Sequence, residues 1–365
     1  HPLPHTGTPQ RRVKLNDPEL KTLVFRGVHA RNLQIDEITV PLQRFTVVTG
    51  VSGSGKSTFC REVLFENLSR RLKDAQAPLV GTDQLTGFEN VGRVLEVDQT
   101  PIGKNSRSCP ATYVGIMTAI RDLYAATNEA QARGYDASRF SFNKAVGACP
   151  VCAGQGLRTV EMNFLPDVKV LCEACAGKRF NPETLEVLWR GKSIGDVLEM
   201  EIDEAVDFFA SMPSIAYPLK LMQDVGLGYL TLGQPSPTLS GGEAQRLKLV
   251  TELAKVRTDG SFAARAPHTL YVLDEPTVGL HMTDVDRLSK VLSRLVDAGS
   301  TVVVIEHNLD IAADADWIID LGPEGGAKGG KVVAQGSPKM VARKNTATGI
   351  VLRAFLAEHK PVKSA

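Results

Sequence analysis

A glycine-rich stretch near residue 50 has the residue types and the spacing of a phosphate-binding loop. Gly50 is followed after four residues by Gly55, Lys56 and Ser57. Glycines let backbone N–H groups converge on phosphate oxygens, the lysine supplies a point charge for the β- and γ-phosphates, and the serine hydroxyl is a ligand for Mg²⁺. The stretch therefore predicts a nucleotide site that uses Mg²⁺. The residues predicted to line it are Gly50, Ser52, Gly53, Ser54, Gly55, Lys56, Ser57 and Thr58.

Two carboxylates stand at the end of a short apolar run that is typical of a strand buried on both faces. The run is Leu270–Asp274, and Glu275 follows it. At the carboxyl end of such a strand, Asp274 is predicted to hold Mg²⁺, directly or through water, and Glu275 to polarise the attacking water. The alternative is a solvated strand end, which Pro276 and the phosphate loop upstream disfavour.

A second apolar run, Val302–Ile305, leads directly into Glu306 and His307. It predicts an imidazole at the same edge of the sheet as the two carboxylates. Because a lone histidine is more often structural than catalytic, periodicity alone leaves both interpretations of His307 open.

Four of the six cysteines form two closely spaced pairs, Cys149 with Cys152 and Cys172 with Cys175. Two Cys-x2-Cys pairs at this separation are typical of a tetrahedral zinc site. The sequence has no histidine between residues 29 and 268, so a local site must use all four thiolates. Four thiolates leave no open position for water, which indicates a structural Zn²⁺ site. Four unrelated buried thiols are the alternative interpretation.

Alternating strands and helices are predicted around these motifs, which indicates a parallel α/β sheet. A strand before the phosphate loop and a helix after it favour a nucleotide site over a turn that binds nothing. The predicted strands are 22–25, 35–40, 45–49, 93–98, 270–274, 301–305 and 317–321. The predicted helices follow the loop to residue 71 and cover 113–126, 194–210, 240–255 and 284–298. Residues 134–188, with paired cysteines and short strands, read as an insert.

Composition bounds the class of protein. The 365 residues carry 42 Lys and Arg against 41 Asp and Glu, a net charge of +1, which excludes an overall polybasic nucleic-acid binder but not local basic patches. A hydrophobic share of 43% is ordinary for two to three globular units. No apolar run is long enough to span a bilayer and no signal pattern precedes it, so a soluble, cytoplasmic chain is expected. The chain begins with His1, as expected of a fragment or a processed chain.

The segment Leu239–Glu243, with Gln245, resembles the signature motif of ABC-type ATPases. The phosphate loop, Gln99, the signature, the Asp-Glu pair and His307 follow one another in the order of that superfamily. The resemblance implies that ATP is the nucleotide and that Gln99, Glu275 and His307 are catalytic. It also implies a head-to-tail dimer, in which the signature of one unit caps ATP on the phosphate loop of another. The capping residues are Ser240, Gly241, Gly242 and Glu243, at the start of a predicted helix that favours anions.

The four cysteines fill an unusually long separation between Lys56 and the signature, and the chain is similar to the C-terminal half of UvrA proteins. The matching stretches are Val97–Gly103, Pro110–Tyr113, Asn163–Val168, Asp224–Tyr229, Leu239–Leu249, Val304–Asp310 and Ala315–Gly326. This resemblance implies ATP hydrolysis coupled to recognition of damaged double-stranded DNA in nucleotide excision repair, with no nuclease activity of the chain itself. It also implies UvrB as a partner of the full-length family, whose UvrB-binding insert is absent here.

The expected fold class is α/β. The resemblance implies an ABC-type ATPase core, with a parallel sheet and an antiparallel β subdomain, plus a helical signature subdomain that carries the zinc module. The expected divisions are a lead-in (1–21), the first part of the ATP-binding core with Gln99 (22–110), a signature and insert subdomain (111–235) with the zinc module at about 145–180, the signature helix with the second part of the core (236–345), and a tail (346–365).

Basic residues flank the four-cysteine module and are candidates for DNA phosphate contacts. They are Lys104, Arg107, Arg139, Lys144 and Arg158, although each taken alone is also explained as a solvated surface charge.

Val278 and Cys109 depart from the residues expected there, and Thr258–Pro267 reads as an extra loop. Two alternatives stay open: the ATPase subunit of an ABC transporter, and a non-hydrolysing paralogue that ATP clamps on DNA. The chain is either a fragment or a divergent paralogue.

Overall fold

A computed structural model describes residues 19–103, 105–160, 168–255 and 268–359 of the chain. Several sequence-based expectations lie outside these residues. They are most of the lead-in, Lys104, all but the last residue of the stretch Asn163–Val168, the extra loop Thr258–Pro267 and the end of the tail.

The chain divides into two compact units. The first unit combines residues 1–98 with residues 255–365, and the second unit is residues 99–254 between them. The described strands are β1 (Thr22–Val28), β2 (Ile35–Pro41), β3 (Phe45–Gly50), β4 (Thr82–Thr86), β5 (Arg93–Val97), β6 (Leu157–Val160), β7 (Val168–Leu171), β8 (Leu188–Trp189), β9 (Lys192–Ser193), β10 (Thr269–Asp274), β11 (Thr301–Ile305), β12 (Trp317–Gly322) and β13 (Lys331–Gly336). The described α-helices are α1 (Glu66–Arg71), α2 (Pro110–Tyr113), α3 (Ile116–Ala125), α4 (Asn128–Ala132), α5 (Pro182–Leu185), α6 (Ile194–Glu199), α7 (Ile202–Phe208), α8 (Pro213–Asp224), α9 (Gly241–Leu253), α10 (Met282–Asp297), α11 (Leu309–Asp314), α12 (Pro338–Val341) and α13 (Ala347–Glu358).

A six-stranded sheet forms the centre of the first unit, in the order β13-β12-β3-β11-β10-β5. The strands from β12 to β5 are parallel, and β13 adds an antiparallel edge. Strand β11 is buried at every position, as its unbroken apolar sequence predicts. The predicted parallel α/β sheet is therefore confirmed.

A separate antiparallel sheet, in the order β2-β1-β4, completes the first unit. Phe25 on β1 meets Phe59 edge to face, with ring centroids 5.9 Å apart. Phe59 belongs to the π-helical segment Thr58–Phe65, which continues into α1. One apolar core thus packs the antiparallel sheet against the helix that follows the phosphate loop.

The second unit is mainly helical, and two of its predicted helices are interrupted. The helix predicted over 194–210 is split into α6 and α7, because Met200 is extended and its carbonyl accepts from Leu232 N at 3.0 Å, while Ile202 N donates to Leu230 O at 2.9 Å. This tertiary pairing outweighs helix propensity. The helix predicted over 113–126 is split at Gly115, which has a left-handed φ of 91°.

None of the helices in the described parts of the chain combines the length and the apolar character that a bilayer-spanning segment needs.

Two loops of the first unit brace the phosphate loop. The Asn32 amide donates to the carbonyls of Gly53 and Gly326, each at 3.1 Å. Gly330 N donates to Ser54 O at 3.2 Å, and Gly330 O accepts from the backbone of residue 34. A Cβ at Gly330 would lie 1.9 Å from Asn32 O, so the loops meet at a point that only glycine fits.

Substituting Gly330 with alanine is expected to lower the free energy of unfolding by about 2–5 kcal/mol, because a left-handed backbone and an overpacked contact add together. Gly299→Ala is the matched control: its φ is +94°, but nothing lies within 4 Å of the added Cβ. The control should lose only about 1 kcal/mol. Urea unfolding measures both variants, and equal losses would contradict the bracing role of Gly330.

Candidate nucleotide site and four-cysteine centre

Glycines fix the shape of the phosphate loop where β3 ends. Gly50 has a φ of 136°, and a Cβ there would lie 2.0 Å from Leu321 O of the neighbouring strand. Gly55 has a φ of 100°, and a Cβ there would lie 2.4 Å from Leu33. Both positions have a backbone conformation that favours glycine, and at Gly50 a Cβ would also require the neighbouring backbone to shift.

The Lys56 side chain folds back and hydrogen-bonds the phosphate loop that contains it. Its Nζ donates to the carbonyls of Gly50 and Val51 at 2.9 Å each, and it is 7% exposed. Burial lowers the pKa of Lys56 from its ordinary value, and the carboxylates of Glu275 and Asp274 oppose that shift.

Two features of the loop fit phosphate oxygens. Two neutral carbonyls hydrogen-bond the buried Lys56 ammonium, so negative charge beside it would be stabilised. The buried Ser54 Oγ lacks a hydrogen-bond partner in the described parts of the chain. An unsatisfied buried hydroxyl is costly unless a ligand or water meets it. The loop residues therefore fit the phosphate groups of a nucleotide.

The register of three strands brings the predicted acidic pair and His307 to the same sheet edge as the phosphate loop. Asp274 on β10 pairs with Ile305 on β11, and Ile305 pairs with Val48 on β3. The chain therefore leaves the three strands at nearly the same level, as in other parallel sheets that bind ligands at their carboxyl ends. His307 Nε2 lies 3.5 Å from Glu275 Oε1.

Glu275 has an unusual backbone. Its φ is 44°, in the left-handed region that residues other than glycine rarely occupy, and its N–H donates to Ile305 O at 2.9 Å. Strained residues of this kind persist where the surroundings fix them, and they cluster at functional sites. Nearby, the Arg61 guanidinium forms ion pairs with Asp274, at 3.1 Å, and with Glu96, at 2.7 Å.

Sequence reasoning missed one residue of this edge, Glu306. Its carboxylate is 2% exposed and accepts hydrogen bonds from Thr277 and from the backbone of His307 and Asn308. The available signal was a glutamate at the end of a strand predicted to be fully buried, since buried glutamates are rare unless they are paired.

The signature residues open α9 in the second unit as a capping box. Ser240 Oγ accepts from Glu243 N at 3.3 Å, and Glu243 Oε2 accepts from Ser240 N at 2.7 Å. The Tyr229 hydroxyl donates to Glu243 Oε1 at 2.5 Å. The sequence did not single out Tyr229, whose role depends on a contact distant in the chain.

Gln99 is the first residue of the second unit and lies beside the start of α9. A Cβ on Gly241 would lie 3.0 Å from the Gln99 Cβ, and Lys248 Nζ donates to Thr100 O at 2.8 Å. Gln99 and the signature residues are thus brought together within the second unit. Gly242 lies in the first turn of α9, and its only link to the site is its place in the signature motif.

The four paired cysteines meet in one buried cluster, with all Sγ atoms within 4.8 Å of one another. The Sγ atoms of Cys149 and Cys172 are 4.0 Å apart, and those of Cys152 and Cys175 are 3.7 Å apart. A regular ZnS₄ tetrahedron with 2.3 Å bonds has S···S edges of about 3.8 Å, whereas a disulfide needs about 2.05 Å. The thiol positions therefore fit a four-thiolate metal site.

The two Cys-x2-Cys turns share one backbone conformation. Each second cysteine precedes an alanine and a glycine with positive φ: 49° and 76° at Ala153 and Gly154, and 47° and 84° at Ala176 and Gly177. After the first turn, Gly156 N donates to Cys152 Sγ at 3.3 Å, as expected when backbone N–H groups stabilise thiolate sulfur.

Arg179 is a buried cation beside the cysteine cluster, only 5% exposed. Its guanidinium donates to Ser106 O at 2.9 Å and to Gly233 O at 2.6 Å, and it lies over the Phe142 ring. Burial lowers the pKa of Arg179, and the neighbouring thiols oppose that shift. Because four thiolates around Zn²⁺ carry a net negative charge, a buried arginine fits this site.

The basic candidates for DNA contacts differ in their surroundings. Arg107 donates to Ala153 O at 3.1 Å, and Arg139 donates to Thr184 Oγ1 at 2.9 Å and lies over the Tyr135 ring. Lys144 and Arg158 are exposed. Arg107 and Arg139 therefore have structural partners within the second unit.

Comparisons with known proteins agree with this architecture, although no protein-family model matches the chain. UvrABC system protein A of Thermus thermophilus is 55% identical over 349 residues, which are 96% of this chain and 35% of that protein. The Bacillus subtilis protein of the same name is 50% identical over 98% of this chain and 36% of its own length. The crystal structure of UvrA2 from Deinococcus radiodurans superposes with a TM-score of 0.81 at 45% identity, over 97% of this chain and 41% of that one.

The chain thus spans about a third of the length of the curated relatives it matches. The predicted fold class is confirmed, with the ABC-type core, the antiparallel subdomain and the helical subdomain that carries four clustered cysteines. At this identity over nearly its whole length, the chain is similar to one part of UvrA-type proteins.

Proposed function

We propose that this chain is the ATP-binding and ATP-hydrolysing half of a DNA damage recognition protein that acts in nucleotide excision repair in the cytoplasm. The observation that carries the proposal is one sheet edge that holds Lys56, Asp274, Glu275 and His307 in a chain half identical to UvrA proteins. The curated relatives are about three times longer than this chain, so damage recognition is proposed for the whole protein to which this chain contributes a part.

Each side chain at the sheet edge has a distinct role in ATP hydrolysis. Lys56 and the loop N–H groups bind the β- and γ-phosphates, and Ser57 and Asp274 would hold Mg²⁺, which neutralises charge on the phosphates. Glu275 accepts a hydrogen bond from the attacking water and orients it. His307, whose Nε2 lies 3.5 Å from Glu275 Oε1, would hold that carboxylate in position.

The four cysteines would hold a structural Zn²⁺. S···S distances close to the edge length of a ZnS₄ tetrahedron, two matching turns and the buried Arg179 support this role. All four protein ligands are thiolates, so the site has no position for a catalytic water. The exposed Lys144 and Arg158 are the strongest remaining candidates for phosphate contacts with DNA.

The signature residues would cap ATP that is bound to the phosphate loop of a second ATPase unit, in a head-to-tail dimer. The position of Ser240 at the start of α9 supports this proposal, since the positive end of the helix dipole favours an anion there. Damaged double-stranded DNA and, for the full-length protein, UvrB are the proposed partners. Similarity to UvrA proteins and the clustered cysteines disfavour a transporter subunit.

Glu275→Gln is expected to keep ATP binding while it lowers hydrolysis by about 10²- to 10⁴-fold, because the amide cannot act as a base for water. Lys56→Ala should instead weaken nucleotide binding, since it removes the buried charge. Titration with a fluorescent ATP analogue and a phosphate-release assay measure the two effects, with the exposed Glu358→Gln as control. Unchanged turnover in Glu275→Gln would remove Glu275 from the mechanism.

Metal analysis of the native chain is expected to find about one Zn²⁺ per chain, which Cys149→Ser should release. Cys109→Ser is the matched control, because Cys109 is also a buried thiol of the second unit but lies outside the cluster. Mass spectrometry under native conditions reads the metal directly. Equal zinc content in the two variants would overturn the four-thiolate assignment.

Ser240→Arg is expected to abolish ATP-dependent dimerisation and to leave ATP bound to the monomer, because the long side chain blocks the contact with a partner's nucleotide. Ser240→Ala removes the same helix cap, at a cost of about 1 kcal/mol, without adding bulk. Sedimentation with and without ATP distinguishes the variants. A Ser240→Arg chain that still dimerises on ATP would show that the head-to-tail arrangement is wrong.

A further inference from the structure

We infer that Glu306 is a positioning residue that sets the geometry of both Glu275 and His307 for the attack of water on ATP. The inference rests on the proposed ATP hydrolysis, but it concerns a residue that makes no contact with the nucleotide in that mechanism. Glu306 ends the buried strand β11 at the point where the chain turns toward His307.

The Glu306 carboxylate joins two loops. Oε1 accepts from Thr277 N at 2.9 Å and from Thr277 Oγ1 at 2.6 Å. Oε2 accepts from His307 N at 2.9 Å and from Asn308 N at 3.1 Å. One oxygen thus holds the loop that follows Glu275, and the other holds the loop that carries the imidazole.

All four partners donate, so the position requires a group that only accepts. A carboxylate offers two acceptor oxygens, whereas a glutamine amide offers one acceptor and two donors. Glutamine at 306 would therefore turn N–H groups toward either Thr277 or the two backbone N–H groups. With 2% of Glu306 exposed, water has little room to relieve that mismatch.

The loop after β10 is held at both ends. Glu275 N donates to Ile305 O at 2.9 Å, and two residues later Thr277 is held by Glu306. Between these anchors Glu275 has its left-handed φ of 44°, a conformation that persists only where neighbouring contacts determine it. The adjacent residues Ile305 and Glu306 thus supply both anchors of the proposed base.

The same carboxylate fixes the start of the His307 loop, so the 3.5 Å distance between His307 Nε2 and Glu275 Oε1 depends on it from both sides. A displacement of about 1 Å between reacting groups can lower a rate by about 10²-fold. Loss of the Glu306 contacts should therefore reduce turnover, whereas the phosphate loop on β3 keeps its own contacts with Asn32 and Gly330.

Glu306→Gln in this same chain tests the inference by the separation of binding from turnover. The ATP analogue should bind within about 2-fold of the native affinity, and kcat should fall by about 10- to 10²-fold with KM unchanged. Thr277→Val, which loses only one of the four hydrogen bonds, should show a smaller decrease in kcat. It also serves as the second variant if Glu306→Gln does not fold.

Asp316→Asn is the matched control. Asp316 is also 2% exposed and accepts a backbone hydrogen bond from Phe45 N at 2.8 Å. It precedes β12, so it lies at the amino-terminal end of the strands, opposite the end that carries Glu306. This variant should lose stability and keep its kcat. If Glu306→Gln and Asp316→Asn lose stability equally and neither loses kcat, Glu306 is structural and the inference is wrong.

Amide hydrogen exchange of residues 275, 277, 278 and 306–308 gives a readout that does not need hydrolysis. Exchange in these segments should be at least about 10-fold faster in Glu306→Gln than in the native chain, and unchanged in Asp316→Asn. A native chain that lacks ATPase activity would contradict the proposed function, yet this comparison would still decide whether Glu306 holds the two loops. Unchanged exchange would overturn the inference.

Discussion

The register of the central parallel sheet is the constraint on which the nucleotide site depends. Strands β10, β11 and β3 pair so that Asp274, Ile305 and Val48 lie in one row. A slip of one residue would turn every side chain of a strand to the opposite face, and burial on both faces makes such a slip costly. Strand pairing therefore brings the acidic pair, the imidazole and the phosphate loop together, and no long loop is needed to do so.

Buried charges at both candidate sites are held by backbone groups more than by opposite charges. Lys56 donates to two carbonyls, Arg179 donates to two carbonyls, and Glu306 accepts three backbone N–H groups. A buried charge that lost such partners would cost several kcal/mol, so each one fixes the loops that supply them. Because the carbonyl partners of Lys56 are neutral, they do not cancel its positive charge, which can still attract an anion.

Local patterns in the sequence were sufficient to predict the phosphate loop, five of the six strands of the central sheet and the four-cysteine cluster, because each depends on residues close together in the chain. The edge strand β13 was not predicted. Contacts between distant segments could not be predicted in this way. The split of the helix predicted over 194–210 results from pairing with residues 230–232, and Arg139 is held by α5. Glu306 carried a local signal, yet its function depends on Thr277, which follows a different strand.

The order of the strands in the sheet has a consequence for synthesis on the ribosome. Strand β3, which ends in the phosphate loop, lies between β12 and β11, and both belong to the part of the first unit that follows the second unit in sequence. At typical elongation rates, β3 waits about 10–50 s before either neighbour is made. The second unit is complete within that interval, so its cysteines can take up metal while the nucleotide site does not yet exist. The residues of the four-cysteine cluster are therefore complete before the strands that assemble the nucleotide site.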